Sequence, residues 1–184
     1  MGEIQIRGES VYLRTIIKQD MLSFYQAVQD EEIRYMTGTK NIFSLEQLYE
    51  HYDRISSDKT RYDFAICLVS DDQIIGDLSI LDIEQTDRKA GFRISLHNQN
   101  YFNKGYGTEA VQLALAFVFE KINLNRLQLE VYSHNIRGMK SYEKAGFKRE
   151  GVIRESILLN DVYFDEIIMG MLQKEYYQIK NGTK

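Results

Sequence analysis

A mixed α/β architecture of the α+β kind, built on a mostly antiparallel sheet, follows from three features of this chain. Three strand-like runs stand in succession, Phe64 to Ser70, Ile74 to Ile83 and Lys89 to Leu96. Only Asp71-Asp72 and the polar stretch Glu84 to Arg88 separate them, as in a meander. A long apolar helix, Gly107 to Ile122, then joins the third run to a fourth, Arg126 to Tyr132, the pattern of a crossover between strands. Two further strands hinged at Asn160-Asp161 close the order.

The remaining elements have local causes. A strand is expected near Val11 to Thr15 and a helix over Asp20 to Val28. A second helix begins after Ser44, because Ser44-Leu45-Glu46-Gln47 is a capping-box pattern. In the helix after Gly107, Val111, Ala114, Leu115, Val118, Phe119 and Ile122 share one face, and Ala110, Leu113 and Phe117 widen it, so that helix is expected to be buried. In Arg126 to Tyr132, Leu127, Leu129 and Val131 face one way and Gln128, Glu130 and Tyr132 the other. The polar face fits either an edge strand or a wet groove. A short helix follows, Ile136 to Ala145, with Asn135 as its N-cap and Gly146 as its C-cap. The expected total is about seven strands and four helices, with a polar tail fraying from Lys174 on.

Composition sets bounds on class. The chain has 184 residues, 43% apolar and 27% charged, without a Pro/Ser/Gly-rich break, and reads as one domain over 1–184. A formal net charge of −4 argues against a general nucleic-acid binder. Neither a signal peptide nor an apolar run of membrane-spanning length is visible, so a cytoplasmic protein without a membrane partner is expected. Cys67, the single cysteine, lies in an apolar run and is expected to be a buried, inert thiol. His51, His97 and His134 lack metal-ligand spacing, so no metal is expected. His134 flanks Asn135, and its simplest reading is a surface histidine. The tyrosines crowding the N-terminal half leave room for a homodimer.

The most informative stretch is Phe102-Asn103-Lys104-Gly105-Tyr106-Gly107-Thr108, between an apolar strand and an apolar helix. Two glycines let the backbone approach a ligand, and first-turn amides attract an anion without needing a charged side chain. Gly105-Tyr106-Gly107-Thr108-Glu109-Ala110 also fits a dinucleotide-binding Gly-x-Gly-x-x-Ala. That reading is weaker, since the glycines lie eight or more residues beyond Leu96 and the strands before them look antiparallel. A P-loop would need Gly-Lys-Ser/Thr, which does not follow.

Together with the segment Asn135 to Phe147, the glycine loop resembles that of the GNAT superfamily of acetyl-CoA-dependent N-acetyltransferases, in its ribosomal-protein-alanine and spermidine branch. The family's pyrophosphate loop runs Gln/Arg-x-x-Gly-x-Gly/Ala, and Phe102 to Gly107 fits it except at Phe102, where ribosomal-protein-type members often carry an aromatic. The second signature is an Asn seven residues before the Tyr of a Tyr-Glu-Lys-x-Gly-Phe run, met by Asn135 and Tyr142 to Phe147. The element order matches too, including a bent sheet ending in a C-terminal hairpin.

The resemblance implies acetyl transfer from acetyl-CoA to a primary amine by direct attack, with coenzyme A as product. Such a reaction needs a neutral amine, and an alkyl amine of pKa about 10.4 calls for a base. Glu130, five residues before Asn135, stands where ribosomal-protein N-terminal acetyltransferases keep their general base, and it lies on the polar strand face. Tyr142 is implied as the general acid that protonates the leaving sulfur. Asn135 and the backbone around Ile94 to Leu96 would hold the pantetheine arm, and the amides of Asn103, Lys104, Gly105, Tyr106, Gly107 and Thr108 would hold the pyrophosphate. The acceptor is left open among a protein or peptide N-terminus, a polyamine and other small amines. Spermidine-type members carry a glutamate where this chain has Gly91, which lowers the polyamine reading. A non-catalytic acyl-CoA sensor is the alternative from another class.

Overall fold

The computed structural model describes residues 4–182. Eight strands form one sheet in the order β1-β2-β3-β4-β5-β6-β8-β7. They are β1 (Gln5–Arg7), β2 (Val11–Thr15), β3 (Tyr62–Leu68), β4 (Ile74–Glu84), β5 (Lys89–Leu96), β6 (Arg126–Tyr132), β7 (Lys148–Leu159) and β8 (Val162–Leu172). The α-helices are α1 (Met21–Gln29), α2 (Glu31–Thr37), α3 (Leu45–Ile55), α4 (Tyr106–Ala116), α5 (Ile136–Ala145) and α6 (Gln173–Gly182). Every strand pair is antiparallel except β5 with β6, whose crossover is α4. The mostly antiparallel α/β class is as expected, with eight strands in place of about seven and six α-helices in place of four.

Four features correct the expectation. β1 is only three residues long and pairs with β2 at the sheet edge. The chain after α1 turns at Asp30, whose carboxylate accepts the Ile33 amide at 3.0 Å and starts α2. The tail does not fray at Lys174: α6 lays the Tyr176 ring 5.2 Å from that of Phe119, and its hydroxyl bonds Glu120. Wide π-type turns over Phe117–Lys121 replace the last turns expected of α4.

Side-chain alternation divides the sheet into two faces. One face carries Phe64, Leu78, Phe92, Leu127, Leu129 and Met169 into the main core beneath α4 and α5. The other carries Tyr12, Ala65 and Cys67 under α1 and α3, in a smaller core completed by Met21 and Ile55. Cys67 is fully buried there, and burial pushes its thiol pKa up. At the start of α1, buried Asp20 takes both terminal guanidinium nitrogens of Arg14, at 2.7 and 2.8 Å, and the Ile17 amide at 2.9 Å. α3 begins with the expected capping box, Ser44 Oγ accepting from Gln47 and Gln47 Oε1 accepting from the Ser44 amide.

Candidate active site

The site originates where β5 and β6 part. The two strands pair through Lys89 with Arg126, Ala90 with Leu127 and Gly91 with Gln128, and they are not paired beyond. The Arg88 carbonyl accepts from the Arg126 amide, while the His97 amide donates to Ile75 on the opposite side. Backbone direction alternates along a strand, so Phe92, Ile94 and Leu96 turn their N–H and C=O groups toward the gap. An open strand edge of this kind is a template for an extended ligand. β6 is therefore an interior strand, and its polar face belongs to a wet groove and not to a sheet edge.

One cavity, of about 620 Å³, runs along this edge on the side of α4 and α5. Ile94 and Leu96 of β5 line it with Phe102, Asn103, Gly105, Gly107 and Thr108 of the loop. Asn103 and Gly105 both adopt left-handed backbone, φ 61° and 86°, which turns the chain sharply into α4. A Cβ at Gly105 would meet nothing within 4 Å, so its glycine answers to conformation and to open space for a ligand. Gly105 caps α4 without a side-chain bond, leaving first-turn amides for an anion. Lys104 and Tyr106 do not line the cavity: Lys104 is exposed, and Tyr106 packs on the main core.

α5 forms the opposite wall. The Thr108 and Ser141 hydroxyls lie 3.1 Å apart, tying the two helices together. Arg137, Lys140 and Lys144 line the cavity on one helix face. Sequence reasoning does not single them out, although their i, i+3, i+7 spacing marks one cationic stripe. Loop, open strand edge and stripe fit a long ligand that is amide-rich at one end and polyphosphorylated at the other. Glu109 plays a different part, accepting the Glu9 and Ser10 amides at 2.6 and 3.0 Å and anchoring α4 to the turn before β2.

A second cavity, of about 870 Å³, opens on the other side of the sheet beneath α1, α2 and α3. Glu130, Gln128 and Tyr132 of β6 line it, with Asp77 and Ser79 of β4 and Arg93 of β5 among the others. The two cavities share Ile33, Thr37, Ile94, Ser95, Asn135 and Tyr142. Tyr142 is buried, its hydroxyl has no hydrogen-bond partner among the described residues, and burial pushes its pKa up to about 12. It is a protonated donor at any physiological pH. Asn135 accepts the Gly138 amide at 2.9 Å and donates to the Met36 carbonyl at 3.2 Å, capping α5 while holding the end of α2. Glu130 is exposed in the larger cavity, with the Gln128 amide donating to it at 2.8 Å. Glu130 and Tyr142 thus line one cavity, the first from β6 and the second from α5.

The histidines belong to the frame. His134 is not a free surface side chain: its Nε2 donates to the Tyr35 carbonyl at 2.8 Å, and its ring packs between Tyr35 and Phe164. His97, buried, meets Asp77 at 2.9 Å and lies 3.4 Å from the Ser23 hydroxyl. Among the described residues no cluster of ligands could hold a metal ion, and no helix is long and apolar enough to cross a membrane.

The geometry has parallels among known proteins. A family model described as an acetyltransferase (GNAT) domain matches residues 10–148. The probable N-acetyltransferase YjcK of Bacillus subtilis (strain 168) is 30% identical over 183 residues, covering 92% of this chain and 98% of its own. The spermidine N(1)-acetyltransferase of Escherichia coli (strain K12) is 26% identical, with 92% and 89% covered. The crystal structure of spermidine N-acetyltransferase from Vibrio cholerae in complex with CoA and spermine superposes with a TM-score of 0.86 at 24% identity, covering 92% of this chain and 99% of that one. Its likeness is one of fold.

Proposed function

The chain belongs to the acetyltransferase (GNAT) family, whose members use acetyl-CoA, and we propose that it moves the acetyl group to a primary amine held in the larger cavity. The observation that carries this reading is the meeting of two unlike cavities at Tyr142 and Asn135. One has the cationic stripe and glycine loop, and the other has the carboxylate Glu130.

When bound, acetyl-CoA supplies an activated acetyl thioester. Amides of Asn103 to Thr108 with Arg137, Lys140 and Lys144 hold its phosphates, and the open edge at Ile94 and Leu96 holds its amide-containing arm. Glu130 draws in the ammonium form of the acceptor and takes one proton from its nitrogen, directly or through water. The nitrogen then bonds to the acetyl carbon while the carbon–sulfur bond breaks. The Tyr142 hydroxyl gives its proton to the departing sulfur, so that coenzyme A leaves as the thiol; the second proton lost by the new amide nitrogen restores the Tyr142 hydroxyl through water, and Glu130 releases the first to solvent. Asn135 serves by fixing α5, and with it Tyr142, against α2.

A polyamine acceptor is the second reading. It is favoured by Glu166, which shares the cavity with Glu130 and lies diagonally across the β6–β8 pair from it, and by relatives named for spermidine. Gly91, in the same cavity, brings no carboxylate.

Calorimetric titration with acetyl-CoA, followed by thiol release across N-terminal peptides, polyamines and small amines, tests the proposal. Micromolar binding with thiol release from one amine class is expected. Binding with no turnover on any amine would leave a sensor, and absence of binding would defeat the reading.

A further inference from the structure

The larger cavity carries charges of both signs. Several of its charged groups are already matched: Asp63 is held by Arg61 at 2.6 Å and by the Ser79 hydroxyl at 2.6 Å, and Asp77 by His97. Arg126 pairs with Glu150, and Lys89 with Glu84 and Asp87. The groups that remain carry both signs, and Arg34 among them donates to the Val28 carbonyl at 2.9 Å. On the β6–β8 side stand the carboxylates Glu130 and Glu166. On the β5–α3 side stand Arg93 and Arg54, and Glu50 and Asp82 also line the cavity as exposed carboxylates.

The two arginines are underused. Arg93 is 64% exposed, reaches Asp77 only at 3.6 Å, and shares that carboxylate with His97. Arg54 has no carboxylate partner among the described residues, and its guanidinium donates to His51 Nδ1 at 2.7 Å. The local field is positive enough to act on His51, whose pKa is held down by burial first and then by Arg54, Arg61 and Arg93. Extending the β5–β6 register, Gly91 with Gln128, sets Arg93 level with Glu130 where the strands part. An amine at Glu130 therefore has the Arg93 guanidinium across the gap from it.

We infer that the preferred acceptor is bifunctional, an amine that also carries a carboxylate or phosphate, with the amine at Glu130 and the anion held by Arg93 and Arg54. This deepens the acetyltransferase reading and rests on it. A polyamine would bring a second cation against those arginines, at a Coulombic cost in a partly dehydrated cavity. A cavity of about 870 Å³ has room for a small molecule of this kind.

The test pairs acceptors that differ only in the anion: γ-aminobutyrate with its amide and with putrescine, and glucosamine phosphate with glucosamine. Binding is read by calorimetry in the presence of coenzyme A, and turnover by thiol release. The anionic member is expected to win by roughly tenfold or more, the scale of one charged hydrogen bond. The carboxylate and phosphate pairs tell which anion is meant. In the double variant Arg54→Gln/Arg93→Gln, both residues being exposed, that advantage should vanish while the amide and glucosamine, which carry no anion, are used as before. Equal use of both members, preference for putrescine, or an advantage that survives in the double variant each overturns the inference and leaves acetyl transfer standing. Failure of every acceptor together with failure to bind acetyl-CoA defeats the underlying reading instead.

Discussion

The Arg137 guanidinium lies 3.5 Å from the centre of the Phe102 ring. Phe102 occupies the loop position where the family pattern has Gln or Arg, and here a guanidinium reaches the same loop from α5. Stacking on an aromatic face holds an arginine in place without neutralising it. The departure from the motif therefore keeps a fixed positive charge at the cavity wall.

Loss of the neighbouring charges on α5 should act on cofactor binding alone. Lys140→Ala/Lys144→Ala is expected to raise KM for acetyl-CoA about tenfold at low salt and to change kcat at saturation little, because phosphate contacts are charge-assisted and screened by ions. Initial rates at two ionic strengths check this. A fall in kcat with KM unchanged would contradict it.

Tyr142→Phe should separate chemistry from folding. The hydroxyl has no hydrogen-bond partner among the described residues to lose, so the melting temperature should hold or rise slightly, whereas kcat should drop by roughly a hundredfold, the lower range for a general acid. With the Tyr142 pKa raised to about 12, no loss of rate from its ionisation is expected up to about pH 10 in the wild type. Thermal melts beside a pH–rate profile decide the point.

Asn135→Ala removes the α5 cap and the hold on Met36 together. A destabilisation of about 1–2 kcal/mol is expected from the cap, lowering the melting temperature by roughly 2–8 °C for a chain of this size. Asn135→Asp, which keeps the capping oxygen and loses the donor, should recover most of the stability but less of the activity.

Asp77 should confer an acid-dependent stability. Burial alone would raise its pKa, but the hydrogen bond and charge of His97, aided by Arg93, more than offset this and leave it below the usual value. A carboxyl lowered on folding stabilises above its unfolded pKa of about 3.9, and that contribution disappears as pH falls through the folded value. The melting-temperature gap between wild type and Asp77→Asn, wide at pH 6, should accordingly close in strong acid.

Much of this architecture is legible from local pattern. The meander, the crossover, the helix Ile136–Ala145 with both caps and the closing hairpin each have a strong period or a turn residue to announce them. What escapes is held by tertiary contact. β1 is too short to show alternation, α2 is a polar two-turn helix whose signal is the single cap Asp30, and α6 depends on Tyr176 meeting Phe119 and Glu120 from distant segments. In the site, the glycine turn stands out because its left-handed backbone favours glycine at Gly105, and the tyrosine because it opens the Tyr-Glu-Lys-x-Gly-Phe run. The arginines of the larger cavity do not, since Arg54 and Arg93 lie far apart in sequence and only folding brings them to one wall.

The parting of β5 from β6 also has a mechanical side. Five strands on one flank and three on the other are joined by only three residue pairs, so stiffness along the sheet falls sharply at that line. α2 packs against both β5 and β6 and is itself moored by His134 and Asn135. The width of the slot is therefore set by a short strut of seven residues, and a change in how that strut is tethered would alter the spacing of both flanks at once.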